Sequence, residues 1–358
     1  MSRKVLKAFE SSLLLALLLS GCVTRPAVRP LESQPHIVVE CSIVDLNKTI
    51  VFSLKDQFQC DFKPDGGWIQ SNGLDLISMS PEGNPIWTKR YYTHHIMRTT
   101  AAGDLLVLRS EATRHGRYIR RFDVISKVDR KTGEILASYS MAANFDQLAK
   151  LAAPPLRIHY FADHWSPHPI AKTEATHANS VYELPENALA AKRPEFAAGN
   201  VLVHDNLLGL IFVLDRDLKR VVWSTALKRP PLHALHDVQL LANGHLLFFN
   251  NHAEFNSSFL SSLDEFNIED SKIVWRYQPK MKAELASPYV GSVQMLENGN
   301  IFFSDMSSGG TMTEISRDGK IVWKMPHWQS DAAGLPKSFQ EAKRMDLTSF
   351  LKNNQSFR

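Results

Sequence analysis

Three features of the chain predict an all-β fold, a β-propeller of about six four-stranded blades. A turn phrase recurs along most of its length, strand signals come about four to the repeat, and helical periodicity is nearly absent. The phrase sets Asp or Gly in a turn ahead of apolar residues and, in most copies, a tryptophan. Its copies are Ser80 to Trp87, Asp129 to Leu136, Asp215 to Trp223, Glu269 to Trp275 and Arg317 to Trp323. From Trp87 through Leu136, Trp223 and Trp275 to Trp323 the steps are 49, 87, 52 and 48 residues, so one repeat carries an insertion. Five blades are visible in this way, and a sixth is expected from the N-terminal strands or from residues 141–176. The tryptophans are expected to pack between blades.

Residues 1–21 place Arg3, Lys4 and Lys7 ahead of the apolar run Leu13 to Leu19, which ends in Leu19-Ser20-Gly21-Cys22. The run is too short for a permanent membrane span. It resembles a bacterial lipoprotein signal, which implies cleavage before Cys22 and diacylglycerol on its sulfur. Val23 follows the cysteine, with no aspartate to hold the protein at the inner membrane, so an outer-membrane anchor facing the periplasm is expected. Residues 22–36 are proline-bearing and polar and read as a tether.

Residues 37–65 read as a short N-terminal β segment with strands at Ile37 to Val44 and Thr49 to Leu54. With Cys22 acylated, Cys41 and Cys60 are an even pair in an oxidising compartment, for which a disulfide is expected. The propeller is expected over 66–326. Within it, Leu235 to Phe249 holds two alternating strands about Asn243-Gly244, a pair that tolerates the positive φ of a tight hairpin. The frame returns at Gly291 to Phe303 about Asn298-Gly299, and more loosely at Thr93 to Leu108.

The insertion, residues 141–176, is rich in proline and histidine, with His159, His164 and His168. Pro167 and Pro169 argue against the helix on which those histidines would share a metal, so a long loop over one face is expected and no metal is assigned. The tail, residues 327–358, is polar, with its one helix signal over Phe339 to Leu351, and is expected as a cap or edge cover.

The formal net charge is +4. Removing residues 1–21 takes away three basic groups and one acid and leaves +2, too small a bias for a nucleic-acid partner. The basic cluster Arg114 to Arg121 is expected as a solvated strand face.

Residues opening equivalent first strands of a propeller converge on one mouth of its central channel. His236 and His95 share a repeat position, each eight residues before a turn glycine. His177 falls just ahead of the same strand in another repeat, with Val181 matched to Val238 and Val293. Three histidines at matched positions point to a functional axial cluster, since imidazole serves as nucleophile, hydrogen-bond donor or acid.

These phrases, His94-His95, His177-Ala178-Asn179-Ser180-Val181, His236-Asp237-Val238 running to Asn250-Asn251, and Gly291-Ser292-Val293-Gln294, resemble the bacterial aryl-sulfate sulfotransferase family in order and spacing. The resemblance runs from about Trp68 to Trp323 and extends to Phe339-Gln340-Glu341-Ala342-Lys343-Arg344. It implies a six-bladed propeller that moves sulfuryl groups between phenols through a sulfohistidine, without a nucleotide donor or other cofactor. By position, His236 would be the nucleophile, His95 and His177 would serve the sulfuryl oxygens and the leaving phenol, and His94, Asn179 and Asp237 would bind substrate. The expected partners are a small aromatic sulfate or phenol and the membrane. The family usually has an arginine on the strand after His-x-Asn-Ser, where this chain reads Val201-Leu202-Val203-His204-Asp205-Asn206. An aspartate there would repel sulfate unless His204 is protonated or Arg98 or Arg157 substitutes. Two other readings stay open. One is a non-catalytic envelope propeller that binds a protein or glycan; the other, suggested by Asp129 to Gly133, is a quinone-dependent dehydrogenase.

Overall fold

The computed structural model describes residues 33–54, 57, 59–152, 171, 173–226, 235–251, 261–279, 285–287, 290–305, 310–325 and 341–354. The signal segment, Cys22, Arg157, His159, His164 and His168 lie outside the described residues. Among the described residues no helix is long and apolar enough to cross a membrane.

Strand and turn signals fold into six antiparallel four-stranded sheets that form a ring, the six-bladed β-propeller that the repeat predicts. From channel to rim, blade 2 is Gln59–Phe62, Trp68–Ser71, Asp75–Met79 and Pro85–Arg90. Blade 3 is Thr93–Thr99, Leu105–His115, Tyr118–Val128 and Ile135–Ser140, with Thr173–Glu174 pairing in parallel onto its third strand. Blade 4 is Ala178–Glu183, Val201–Asp205, Leu210–Leu214 and Val221–Ala226. Blade 5 is Leu235–Leu240, His245–Asn250, Ser262–Asn267 and Lys272–Tyr277. Blade 6 is Ser292–Met295, Ile301–Asp305, Thr311–Ile315 and Ile321–Met325. The two middle strands of blades 4 and 6 are buried throughout, because both faces meet neighbouring blades, and they bury polar residues such as His204, Asp205, Asp305 and Glu314 along with apolar ones.

Blade 1 departs from the sequence reading. Ala342–Met345 from the tail pairs with His36–Val39, and Ser42–Asp45 and Ile50–Ser53 complete the sheet. The tail therefore supplies the innermost strand of the closing blade rather than an edge cover, while the N-terminal strands supply the other three, the first of the two sources expected for a sixth blade. The reason is elementary: an open propeller would leave two unpaired sheet flanks, and joining both chain ends in one sheet removes them. The tail's helix is Thr348–Asn353, behind that strand, with Phe350 packed against Phe52 and Phe62. The expected disulfide is present, Cys41 to Cys60, tying blade 1 to the inner strand of blade 2. In the insertion, Phe145–Leu151 forms a short helix.

The tryptophans sit at the seams. Indole N–H groups of Trp87, Trp275 and Trp323 donate to the carbonyls of Arg130, Arg317 and Leu46, each in the next blade around the ring. Trp223 packs against Phe196 at 4.9 Å between ring centres. Closer to the axis a second series of links repeats. Asp123 accepts from Ala178 N–H, Ser180 from Val238 N–H, Asp237 from Val293 N–H and Ser292 from Ala342 N–H. Blades 3, 4, 5 and 6 thus each grip the inner backbone of the next.

Candidate active site

The inner strands of blades 3, 4 and 5 each break register once, between His94 and Met97, Ala178 and Ser180, and His236 and Gln239. The inner strands of blades 1, 2 and 6 pair without a break. Bulges re-aim side chains where a ladder alone would alternate them, and here they fall on the three strands that carry the histidines. His95 and Asp237 take left-handed φ angles of 52° and 51° within these bulges. Asparagine and aspartate tolerate that region better than most residues, and holding a histidine there is a local cost the surrounding ladder must bear.

The bulges bring His94, His95 and His177 into one row, with ring centres 5.0 Å apart for His94 and His95 and 4.8 Å for His95 and His177. His95, His236 and Asn179 border a cavity of about 10 Å³, closed on the blade 6 side by Gly291 and Ser292. His95 also borders a cavity of about 700 Å³ that opens toward the C-terminal ends of the inner strands, past Arg98, Tyr182, Glu341 and Lys343. That larger volume suits an aromatic ligand with its substituents.

His236 is half-buried, and its Nδ1 lies 2.6 Å from Asn251 Oδ1. The Asn251 amide nitrogen donates to the carbonyls of Ser287 and Val290 at 2.7 and 2.9 Å, so its oxygen faces the imidazole as an acceptor. His236 Nδ1 must therefore carry the proton, which leaves Nε2 with a free lone pair. Burial pushes the His236 imidazole down to about 4 against the opposing pull of Asn251, and the ring is neutral at ordinary pH.

His177 is held in the opposite state. Its Nδ1 lies 2.6 Å from Glu174 Oε2, and Arg121 pairs with the other oxygen of Glu174 at 2.7 Å. Burial works against a charge on His177, but the hydrogen bond and the charge of Glu174 outweigh it and raise its pKa. Burial likewise favours neutral Glu174, and His177 and Arg121 together reverse that. The two rings are thus biased in opposite directions, His236 toward the neutral form and His177 toward the charged one.

Asp205 does not face the site as a free anion. It is fully buried, its Oδ2 accepts from His177 N–H at 2.8 Å and its Oδ1 from Leu208 N–H at 2.7 Å. Burial and then the charge of Asp123 raise it to about 7, while those backbone donors pull it down. The carboxylate shapes the backbone that carries His177, so the repulsion expected from the sequence is relieved by position and partial protonation. Protonation of His204 does not supply a cation: burial, then His236 and His177, push that buried ring down to about 3.

Arg98 does not stand in for the missing arginine either. Its guanidinium is bound to Asp237 at 2.9 Å and Glu341 at 2.6 Å. The cation beside the histidines is Arg121, whose Nη2 is 3.5 Å from His177 Nδ1. Arg120 and Arg121 are buried, which corrects the reading of this cluster as a solvated face; Arg114 and Arg117 at the hairpin tip are exposed. The alternation of the strand gave no sign of this, because Glu174, the carboxylate that pairs with Arg121, lies on another segment.

Of the residues expected at the substrate, Asn179 borders the small cavity and donates to Leu235 carbonyl across the blade 4 to blade 5 seam. Asp237 borders it too, but spends its oxygens on Arg98 and Val293 N–H. His94 is buried behind His95 and borders neither cavity. Sequence reasoning missed Asn251, Glu174, Asp123 and Arg121. Asn251 was within a quoted phrase, one residue past the strand that pairs with His236, and a neutral nucleophile's need for a tautomer-fixing acceptor was the signal for it.

The axial cluster thus sets a neutral His236 beside His95, with His177 and a buried Arg121 next to it. Residues 72–328 match the family model of arylsulfotransferase (ASST), and the chain belongs to that family. Membership supports a sulfotransferase-type enzyme for aryl substrates such as phenols or aryl sulfates. A search of curated proteins finds no match. Among solved structures, a protein of unknown function from Bacteroides caccae is similar at 16% identity and TM-score 0.52, over 86% of this chain and 97% of that one. BamB from Moraxella catarrhalis is similar at 12% identity and TM-score 0.37, over 83% of this chain and 71% of that one.

Proposed function

We propose that the protein transfers a sulfuryl group from an aryl sulfate to a phenol through a sulfohistidine at His236. The observation that carries this is the commitment of the Asn251 amide to two carbonyls, which leaves Nε2 as the lone-pair nitrogen of a neutral His236 at the edge of the small axial cavity. In the first half-reaction Nε2 attacks sulfur, the S–O bond to the aryl group breaks, and its electron pair leaves on the phenolate oxygen. His177, charged through Glu174, gives that oxygen a proton. In the second half-reaction an acceptor phenol loses its proton to His95 Nε2 and attacks sulfur, and the S–N bond returns its pair to His236. The proton on His95 then passes to His177, 4.8 Å away between ring centres, and the site is reset. The charged His177 favours the anionic donor in place of the family's arginine, with Arg121 beside it held by Glu174.

The test is intact mass of the form lacking residues 1–22 after brief exposure to p-nitrophenyl sulfate, with nitrophenolate release followed in parallel. A gain of about 80 Da that is lost on adding a phenol, and absent in His236→Ala, is the expected result. A folded protein that gives no adduct and no release with several aryl sulfates would overturn it in favour of a binding propeller.

The proposed location is the periplasmic face of the outer membrane, anchored through lipid on Cys22. The Cys41 to Cys60 disulfide is what an oxidising compartment permits. Incorporation of labelled palmitate, abolished in Cys22→Ala, is the expected outcome in cells.

A further inference from the structure

We infer that Asp123 and His94 are a positioning pair that fixes His95 as the Nδ1–H tautomer and presents its Nε2 to the channel as a proton acceptor. The use made of that acceptor rests on the transfer reading above; the tautomer does not.

Asp123 is fully buried and anchored at two points. Its Oδ2 accepts from Ala178 N–H at 2.7 Å and its own N–H is taken by Thr176 Oγ1 at 2.8 Å. Burial opposes its ionisation, but His94 and then Arg121 hold it far below the usual carboxylate range. Its Oδ1 lies 3.0 Å from His94 Nε2, an electrostatic contact rather than a well-aligned hydrogen bond. A carboxylate at that distance repels a lone pair, so Nε2 of His94 carries the proton. Burial lowers the pKa of His94 more than Asp123 raises it, so the ring is neutral and its Nδ1 is bare.

That bare nitrogen lies 2.7 Å from Nδ1 of His95. Two lone pairs cannot face each other at this separation, so His95 supplies the proton between them. Burial, then the neighbouring imidazoles of His177, His94 and His236, hold His95 well below the ordinary imidazole value, and its second nitrogen is unprotonated. Since His94 borders neither cavity and His95 borders both, His94 acts only through His95. When His95 gains a proton at Nε2, its Nδ1–H is the group through which His94 and Asp123 steady the new charge.

The chain of donors reverses in Asp123→Asn. Ala178 N–H keeps the amide oxygen, the amide nitrogen turns to His94 Nε2, His94 then donates from Nδ1, and His95 is driven to the Nε2–H form. In His94→Gln the amide donates to Asp123 and accepts from His95, so the tautomer is kept. The experiment is long-range proton–nitrogen NMR on protein labelled with ¹⁵N-histidine, with His95 assigned through His95→Gln. Expected are Nδ1–H in the parent and His94→Gln, and Nε2–H in Asp123→Asn. The same His95 tautomer in the parent and in folded Asp123→Asn would overturn the inference. Kinetics separate the two readings. Asp123→Asn should lose on the order of 10²-fold in kcat/KM for the acceptor phenol and much less in the rate of the nitrophenolate burst. A parent protein inactive on aryl sulfates that nonetheless shows the tautomer switch would sink the transfer reading and support the positioning pair. Activity in the parent with an unchanged tautomer would do the reverse.

Discussion

Glu174 decides the charge of His177. Without it, burial would leave that ring neutral, and the channel would hold no proton for a leaving phenolate. Because the folded pKa is raised, the charged form and the stability it brings are complete below the unfolded value of about 6.5 and fade as pH climbs through the folded value. Donor cleavage should therefore fall on the alkaline side with the pKa of His177. On the acid side it should hold until the pH approaches the value of about 4 to which His236 is pushed. Glu174→Gln removes the raising partner, so the alkaline limb should move to lower pH while the acid limb stays. A pH profile of nitrophenolate release checks both. At the same scale, Asn251→Ala frees His236 to protonate at either nitrogen. Adduct formation should slow by an order of magnitude or more, without the complete loss expected of His236→Ala.

The strands explain why blade 6 has no histidine in its place. Gly291 sits there with φ of 149°, and a Cβ would meet the Phe249 ring at 2.8 Å. Phe249 is the residue that pairs with His236, so a side chain at 291 would press on the strand that sets the nucleophile. Gly291→Ala is expected to cost about 1–3 kcal/mol in urea denaturation and to lower the rate of adduct formation together with stability. How much of this was legible beforehand follows from periodicity. The eight-residue spacing from His95 and His236 to a turn glycine survives in the structure, so the histidines converge as counted. A bulge leaves no mark on alternation, however, so the sequence could not show that His94 turns away toward Asp123. Nor could it show that Arg98 is spent on Asp237 and Glu341 from other blades. The tail was misread for a related reason. A four-residue strand is too short to stand out, and its alternation becomes meaningful only once Glu341 and Lys343 face the channel while Ala342 and Arg344 turn into the ring.

Among the attachments that close the ring are two on opposite flanks of blade 1. Toward blade 6, Arg344 pairs with Glu314 at 2.6 Å with both side chains fully buried, and Arg344 also donates to the Gln34 carbonyl. Toward blade 2, the Cys41 to Cys60 bridge spans 19 residues. Each acts at a different point in the physics. The bridge restricts the unfolded chain and is worth about 3 kcal/mol in the loop-entropy model. The ion pair contributes through the cost of breaking it, because Arg344→Met leaves the Glu314 charge buried without its cation, the Asn300 amide still bonded to it, a loss of about 3–5 kcal/mol. Replacing both partners by apolar residues of similar size should recover most of that loss, whereas replacing one should not. Urea denaturation of Arg344→Met, of Arg344→Met with Glu314→Leu, and of the parent with and without reductant measures these terms. If the ring melts as one unit, the effects of reduction and of Arg344→Met should add to within about 0.5 kcal/mol, since they lie on separate seams. Marked excess loss in the reduced Arg344→Met protein would mean that blade 1 detaches first and that the channel, whose wall includes Glu341 and Lys343, opens before the rest unfolds.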